Sequence, residues 1–179
     1  LLYELARGGQ WDESVRLCRH QKSPPLWGTL AALSLAKKQL DCAEVCLSEL
    51  DEVPKVEYIQ HIKNIPSEEG RQAEMALLRR LPDEAERILL QASPPLVYRA
   101  VKMHLHLFNW SRALEIALKH KTHVDTVLGY RQRFLQTFDK RETDQQFLQY
   151  NSQFEIDWDT IEAKEAKELE DERGRTGRG

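Results

Sequence analysis

The sequence has few cysteines, no long apolar run and no recognisable targeting segment. Its three cysteines, Cys18, Cys42 and Cys46, are too few and too irregularly spaced for a disulfide or structural zinc framework. A signal sequence is missing, and no run of about 20 apolar residues occurs, as a membrane-spanning helix would need. These absences favour a reducing, soluble compartment and argue against insertion into a membrane.

Motifs that carry chemistry are also missing. The sequence contains no nucleophile elbow, phosphate loop, HExxH or CxxC, so we expect no enzyme and no cofactor. The formal net charge is −3, with acidic and basic residues interspersed along the chain. A nucleic-acid surface normally needs a basic field that attracts phosphates. We therefore expect no nucleic-acid partner.

Helix-forming residues dominate what is present. Only 8 glycines and 7 prolines interrupt long runs of Leu, Ala, Glu, Lys, Arg and Gln, and 41% of the 179 residues are hydrophobic. This composition predicts an all-α fold with a core large enough for a domain. Residues 1–6 begin with Leu rather than Met and resemble the middle of a helix, so we expect a fragment of a larger chain.

Four segments share one template, which predicts a repeated helical hairpin. When they are aligned at Trp11, Leu40, Pro82 and Trp110, a small residue follows three positions later in each. A small side chain lets a neighbouring helix axis approach to about 8 Å. Each copy follows a partner helix through a short link, which forces antiparallel packing. The four small residues are Ser14, Ala43, Ala85 and Ala113.

The repeat is irregular in length. The anchors are 29, 42 and 28 residues apart (11 to 40, 40 to 82, 82 to 110), compared with a tetratricopeptide period of about 34. The longest spacing has room for an extra helix over residues 54–64. We predict two amphipathic helices in residues 109–138 and a short one in residues 144–150. The predicted fold is an irregular α-solenoid of antiparallel, tetratricopeptide-like hairpins over residues 1–158.

Residues 159–179 differ in composition from the rest. They contain good helix formers and i, i+4 charge pairs but almost no apolar face. We expect a solvated, charged helix that frays into a disordered tail from Gly174 onward, and a disordered end over the whole charged run is the alternative.

The second helix of residues 109–138 has an apolar surface wider than one neighbouring helix usually covers. The excess indicates a further helix or a protein partner on that side. We predict apolar and aromatic docking of a partner, with a further hairpin closing over the same residues as the alternative. The predicted hot-spot residues are Tyr130, Phe134, Phe138, Phe147 and Tyr150.

Arg131 belongs to the predicted partner-binding set as its polar member. It lies between Leu128 and Leu135 on the apolar side of the same helix. Such an arginine either pairs with a buried carboxylate or extends its guanidinium to solvent, and the sequence leaves both open.

His120, His123 and Asp125 resemble half of a metal site. However, they straddle a helix end and lack the i, i+4 spacing of a helical zinc pair. Capping of the helix C-terminus by Lys119, His120 and Lys121 is the favoured interpretation, and no metal is expected. A metal-dependent hydrolase using the two histidines and Asp125 is the alternative from a different functional class.

Two further groups have structural interpretations. His104 lies on an apolar stripe, which is typical of a hydrogen-bonded core histidine. Cys42 and Cys46 have i, i+4 spacing, but Cys46 occupies the groove-filling position of the repeat, which favours packing over reactivity.

A resemblance to a known family rests on the segments NWSRALEIALKHKTHVDTVLGYRQRFLQTF, VEYIQHIKNIPSEE and WDESVRLCR, with the closing QFLQY and IDW. Together they resemble the C-terminal helical region of the intraflagellar transport 80 family, WD-repeat subunits of the B complex of ciliary transport trains. The likeness covers residues 11–166 and is most specific in KHKTHVDTVLGYRQRFL. It departs near residues 78–82, where a glycine-containing turn would be expected, and at residues 94–95.

The resemblance implies a helical solenoid that follows two β-propellers in the whole protein. It implies a non-catalytic scaffold in cilium assembly, located at the ciliary base and axoneme, that binds other subunits of the intraflagellar transport B complex. A homodimer is one option. A vesicle-coat solenoid shares the propeller-then-hairpin plan and is the alternative scaffold. A clamp for a terminal carboxylate of a peptide is a third option.

Overall fold

The computed structural model describes residues 1–176, and every regular element in that range is an α-helix. This confirms the all-α prediction. Between residues 1 and 176, no helix combines the length and the apolar content needed to span a bilayer. The helices are α1 (Leu2–Arg7), α2 (Trp11–Gln21), α3 (Pro24–Ala36), α4 (Leu40–Glu49), α5 (Val53–Lys63), α6 (Glu68–Leu78), α7 (Pro82–Gln91), α8 (Val97–His106), α9 (Trp110–His120), α10 (Val124–Thr137), α11 (Gln145–Asn151) and α12 (Trp158–Thr176).

The chain divides into two compact units. The first, Leu1–Pro82, contains α1 to α6, and the second begins at Asp83 and contains α7, apart from its first residue, through α12. The predicted boundary between residues 158 and 159 falls in the first turn of α12. That boundary stays a prediction.

The repeat template is visible in the packing. The four anchor residues are the first residues of α2, α4, α7 and α9. The small residues three positions later are all 0% exposed, as expected if each lets a neighbouring helix approach closely. Four residues further on, the side chains are again buried: Cys18, Leu47, Leu89 and Ala117. The template therefore marks the buried face of one helix in each repeat.

The core of the first unit confirms the extra helix. Ile59 and Ile62 of α5 are fully buried and pack in one cluster with Trp27 and Leu30 of α3. Cys46 lies in the same cluster, so the packing interpretation of this cysteine is correct. A hydrogen bond with the neighbouring thiol and burial both raise the pKa of Cys46, which keeps it protonated and inert.

Five of the links between helices have the same three-residue backbone. The middle residue has a left-handed φ between 55° and 74°. The N–H of the third residue donates to the carbonyl five positions earlier at 2.8–3.0 Å, which is the hydrogen bond of a Schellman motif. The links are Gly8-Gly9-Gln10, Lys37-Lys38-Gln39, Leu50-Asp51-Glu52, Arg79-Arg80-Leu81 and Leu107-Phe108-Asn109.

Only the first of these links has glycine in the left-handed position. At residues 78–82, where the sequence departs from the glycine-containing turn that the resemblance implies, Arg80 occupies the left-handed conformation with φ 60°. The same backbone thus forms with glycine, lysine, aspartate, arginine or phenylalanine at its centre. Where the two joined helices lie in one unit, as α3 and α4 or α8 and α9 do, their packing against each other offsets the local strain.

The expectation of a fully solvated final helix was wrong for α12. Ile161 on this helix is 0% exposed and Glu172 is 3% exposed. Gly129 of α10 makes room for α12, because a Cβ there would lie 3.1 Å from both Ile161 Cδ1 and Trp158 Cζ2. Gly174 still belongs to the helix. Of the predicted tail, residues 177–179 lie outside the described residues.

Polar contacts of α12 reach back to α8 and α10. Glu165 accepts from the hydroxyl of Tyr130 at 3.0 Å and from Lys102 at 3.2 Å. Arg99 Nε donates to both carboxylate oxygens of Glu172 at 2.7 Å. Hydrophobic periodicity misses such a docked helix, because charged side chains make most of its contacts.

Candidate protein-interaction surface

Four aromatic rings meet where the α8–α9 link approaches the C-terminal end of α10. The Phe134 ring centroid is 4.9 Å from that of Phe138, 5.2 Å from that of Trp110 and 5.4 Å from that of Phe108. The interplanar angles of these pairs are 43–57°, and such tilted pairs are favourable. We term Phe108, Trp110, Phe134 and Phe138 the aromatic patch.

The aromatic patch is open to solvent on its outer side. Phe108 is 63% exposed and Phe138 is 58% exposed, while Trp110 and Phe134 are half-buried beneath them. Leu107 beside Phe108 is 49% exposed and extends the apolar surface. Contiguous exposed apolar side chains of this kind mark protein-interaction sites more often than single exposed residues do.

Phe108 is unusual in its backbone as well as in its exposure. It occupies the left-handed position of its link with φ 55°, which costs a non-glycine residue roughly 1–2 kcal/mol. The corresponding residues of the other four links are glycine or charged. Neither the turn nor the core requires an aromatic ring here, so the ring is better explained by an external contact.

Arg131 supports the aromatic patch from the side. Its Nε and Nη2 donate to the two carboxylate oxygens of Glu142 at 2.9 and 3.1 Å, so it pairs with a buried carboxylate. The guanidinium carbon also lies 5.5 Å from the ring centroid of Trp110 and 5.2 Å from that of Phe147. Of the two alternatives that the sequence left open, the structure shows the pairing.

The surroundings of Glu142 favour the charged form of its carboxyl group. Burial alone would raise the pKa of its carboxyl group, but Arg131 and two backbone N–H donors bring the pKa below its ordinary value. Glu142 therefore stays ionised and holds the segment after α10 against Arg131.

The structure does not bring the six predicted partner-binding residues together as one surface. Phe134 and Phe138 belong to the aromatic patch, and Arg131 borders it. Phe147 is 1% exposed and lies beneath Arg131, so it is not part of the exposed surface of this chain, and its contact with a partner stays a prediction. The sixth prediction, Tyr150, instead pairs with Phe154 at 6.5 Å.

Tyr130 is the other predicted residue that lies away from the aromatic patch. Its ring contacts Trp158 edge-on at 5.2 Å, and Lys102 Nζ lies 4.0 Å from its centroid. α12 thus covers the part of α10 that the sequence left unexplained, in agreement with the alternative of a further helix on that side.

His120, His123 and Asp125 do not converge. His123 is buried, with Nε2 2.9 Å from Glu168 Oε1, and Asp125 accepts from Lys164 at 2.5 Å. Both side chains therefore hold α12. Across residues 1–176, no group of three or more His, Cys, Asp or Glu side chains is arranged to hold a metal ion.

A polar network that sequence reasoning missed joins α7, α8 and α9. Glu86 accepts from Arg112 Nε at 3.1 Å, and its other neighbour is His104, whose Nε2 lies 2.6 Å from Glu86 Oε2. This confirms His104 as a hydrogen-bonded core histidine. The bond from Arg112 lowers the pKa of Glu86 below its ordinary value. No sequence spacing indicates this contact, because 26 residues separate Glu86 from Arg112.

Comparison with known proteins settles the family. A family model described as the "IFT80/172/WDR35/WDR19 TPR domain" matches residues 26–174. The chain belongs to this family. Membership of the IFT80/172 family confirms the resemblance found in the sequence and the tetratricopeptide-like fold class. It also indicates a non-enzymatic scaffold related to intraflagellar transport, and does not favour the vesicle-coat alternative.

Two curated relatives agree with this assignment. Proteins named "Intraflagellar transport protein 80 homolog" from Mus musculus and Rattus norvegicus are each 45% identical to the chain over 179 residues. The match covers 100% of this chain but only 23% of each relative. The matched range of the IFT80/172 model includes all four residues of the aromatic patch.

Two of those four residues escaped the sequence interpretation. Trp110 is an anchor of the repeat template, and Phe108 lies outside the predicted helices. A usable signal was present: Phe108 is the only aromatic residue at the centre of the five links. Recognising it requires knowing that the links share one backbone, which their sequences do not reveal.

Proposed function

We propose that the chain is a non-catalytic scaffold that acts in cilium assembly as part of a subunit of the intraflagellar transport B complex. It works at the ciliary base and axoneme, on the cytoplasmic side. The family match over residues 26–174 is the observation that carries the proposal, since the chain is similar over its whole length to proteins named for intraflagellar transport. The packed hairpins supply a fixed support for protein contacts.

The partner contact is assigned to the aromatic patch with Arg131 at its border. This retains Phe134, Phe138 and Arg131 from the sequence prediction and adds Phe108 and Trp110. Aromatic residues and arginine dominate the energetics of protein interfaces, and the rings are already in mutual contact, so little conformational entropy is lost on binding. The partners are other B-complex subunits, with a second copy of the chain as one option.

Capture from ciliated cells tests the proposal. The tagged chain is expected to retain B-complex subunits, and the double substitution Phe108→Ser and Phe138→Ser is expected to lose most of that capture. Both residues are more than half exposed, so the helical circular dichroism should not change. Phe154→Ser is the matched control, because Phe154 is an exposed aromatic residue paired with Tyr150 outside the patch.

Two outcomes would contradict the proposal. One is capture of Golgi coat subunits rather than B-complex subunits by the unmodified chain. The other is equal capture by the patch variant and the unmodified chain, which would place the contact elsewhere. Light scattering of the same samples reports whether the chain forms a homodimer.

A further inference from the structure

The helices that carry the aromatic patch are basic, although the chain as a whole is acidic. Residues 97–114 contain three basic and no acidic residues, and residues 126–141 contain four basic and one acidic residue. Each segment therefore carries a net charge of +3, against −3 for the entire chain. The overall composition does not reveal this separation of charge, because the numbers of basic and acidic residues in the whole chain are nearly equal.

Most of these cations are neutralised inside the fold. Carboxylates of α7, α12 and the segment after α10 pair with Arg99, Lys102, Arg112 and Arg131. Arg133 lies over the Trp158 ring, with its guanidinium carbon 3.1 Å from the centroid.

Two cations remain beside the aromatic patch. Lys140 and Arg141 are both exposed and come two and three residues after Phe138. Within residues 1–176 no ion pair reaches either of them. The acidic residues adjacent to them in sequence are Asp139, which is exposed, and Glu142, whose carboxylate is paired with Arg131. The exposed segment that follows Phe138 thus contains two basic residues and one acidic residue, a net charge of +1 next in sequence to the apolar patch.

We infer that the aromatic patch binds an amphipathic helix of a partner protein, with its apolar side chains on the rings and acidic side chains facing Lys140 and Arg141. This deepens the proposed function and depends on it for the partner's origin. Apolar residues at i, i+3 and i+4 cover a surface of this kind, as in other helix recognition sites. Acidic residues beside them gain complementary charge, whereas basic ones are repelled.

The geometry of the rings favours a rigid, helical occupant. Phe108 is fixed by its link and rests on Trp110 and Phe134, so the platform exists before the partner arrives. Because the rings are already in contact, they need not rearrange when a partner binds, and a partner with a regular, rigid surface fits them best. The exposed side chains of Leu107, Phe108 and Phe138 provide several apolar contacts, which suits the repeated apolar residues of one amphipathic helix.

A pair of synthetic peptides tests the inference directly. Both are helices about 18 residues long, roughly five turns, with leucine at i, i+3, i+4 and i+7. One has glutamate at the flanking positions and the other has lysine. Fluorescence anisotropy of labelled peptide with the complete chain is expected to show binding of the glutamate peptide that is about tenfold or more tighter than that of the lysine peptide.

Two variants separate the apolar and charged parts of the site. Phe108→Ser with Phe138→Ser should weaken binding of the glutamate peptide by about tenfold, whereas Phe154→Ser should leave it unchanged. Lys140→Glu with Arg141→Glu should reverse the preference, so that the lysine peptide binds more tightly. Circular dichroism of every variant confirms that its helices are retained.

Several results would overturn the inference. They are equal binding of the two peptides, no reversal by the charge variant, or a dimer in light scattering that the patch variant dissolves, since a second copy would then cover the rings. Capture of B-complex subunits is measured in parallel. If the chain captures B-complex subunits but binds the two peptides equally, the inference is refuted and the proposed function is retained. If the chain prefers the glutamate peptide but captures no B-complex subunit, the proposed function is refuted and the peptide-binding surface is retained.

Discussion

Glu86 is the residue at which three helices of the second unit are joined by charge. Glu86 lies on α7. Its carboxylate accepts a hydrogen bond from Arg112 on α9 and contacts the ring of His104 on α8. Its side chain is only 15% exposed. A carboxylate in such a position is stable because its partners replace the lost water, and removal of the charge leaves those partners uncompensated.

Replacement of Glu86 by glutamine tests this network. We expect Glu86→Gln to lower the free energy of unfolding by about 1–3 kcal/mol, measured by urea denaturation, since charge-assisted hydrogen bonds are lost at a mostly buried site. Glu115→Gln is the matched control. Glu115 pairs with the same Arg112 but is 65% exposed, so its loss should change stability by less than about 0.5 kcal/mol. Equal effects of the two substitutions would refute the network's importance.

Comparison of the original chain with Glu86→Gln also gives a prediction of how stability depends on pH. Arg112, followed by His104, stabilises the charged form of Glu86 and lowers its pKa in the folded state relative to the unfolded value of about 4.3. The stabilisation is complete above the unfolded pKa and is lost as pH falls through the lower, folded pKa. The stability difference between the original chain and Glu86→Gln should stay constant from neutral pH to about 5 and shrink below about 4. A difference that grows on acidification would contradict the assignment.

Two glycines in helices should respond in opposite directions to the same substitution. At Gly28 of α3 a Cβ would meet nothing within 4 Å, so Gly28→Ala should stabilise the fold by about 0.5–1 kcal/mol. At Gly129 a Cβ would press on Ile161 and Trp158, both at 3.1 Å, and also on Ile156 at 3.3 Å. We expect Gly129→Ala to lose roughly 1 kcal/mol net, because overpacking exceeds the gain in helix propensity. Thermal unfolding of both variants compares them; a stabilised Gly129→Ala would show that α12 is loosely held.

At the residue scale, sequence reasoning worked where a position is decided by local spacing. One repeated pattern predicted the burial of Ala113 and Ala85. The place of His104 on an apolar stripe predicted that it is a hydrogen-bonded core residue. The carboxylate that pairs with Arg131 could not be named, because Glu142 lies beyond the helix end in an irregular segment. The burial of Phe147 could not be predicted for a related reason, since the exposure of a side chain depends on which helix covers it.

At the scale of elements, the recurring three-residue link shows how much strain a hairpin tolerates. Each link ends one helix with a left-handed residue, and the next helix begins two residues later. Four of the five use a residue other than glycine in that position. The cost is distributed over the hairpins and is offset by packing of the helices on either side.

Substitution of one such residue by glycine should release part of that strain. Arg80 is exposed and has φ 60°, so we expect Arg80→Gly to raise the free energy of unfolding by about 0.5–1 kcal/mol. Its neighbour provides the control. Arg79 has φ −82°, which suits any residue, so glycine there should destabilise by about 0.5–1 kcal/mol through added chain entropy. Chemical denaturation distinguishes them; if Arg79→Gly stabilised as much as Arg80→Gly, backbone strain would not be the cause.

The final helix marks the limit of prediction at this scale. Its position and helical character were expected, but its docking was not. Glu165, Glu168 and Glu172 resemble a solvated face in the sequence, and in the fold they meet Tyr130, His123 and Arg99. Complementary charge on two separate segments leaves no trace in the periodicity of either one.

At the scale of the molecule, each compact unit has a core of its own. In the first unit, the cluster around Leu30, Ile59 and Ile62 is formed within α1 to α6. In the second, Leu114, Leu128 and Ile161 are fully buried. In repeat proteins stability arises between neighbouring elements, so a piece that contains several complete hairpins can fold alone.

Separate production of residues 1–81 and 82–179 tests this independence. Both pieces are expected to show helical circular dichroism and a cooperative thermal transition, each at a lower temperature than the whole chain because of its smaller core. The division before Pro82 keeps α7 intact. An unfolded second piece would show that its core needs the preceding helices.

The five links have a consequence for how this protein family can change. Their backbone is constant while their central side chains range from none at Gly9 to a phenyl ring at Phe108. New binding preferences can therefore arise by single replacements at these corners, without any rearrangement of the helices. We therefore expect the central residues of these links to be positions at which related proteins differ in partner preference.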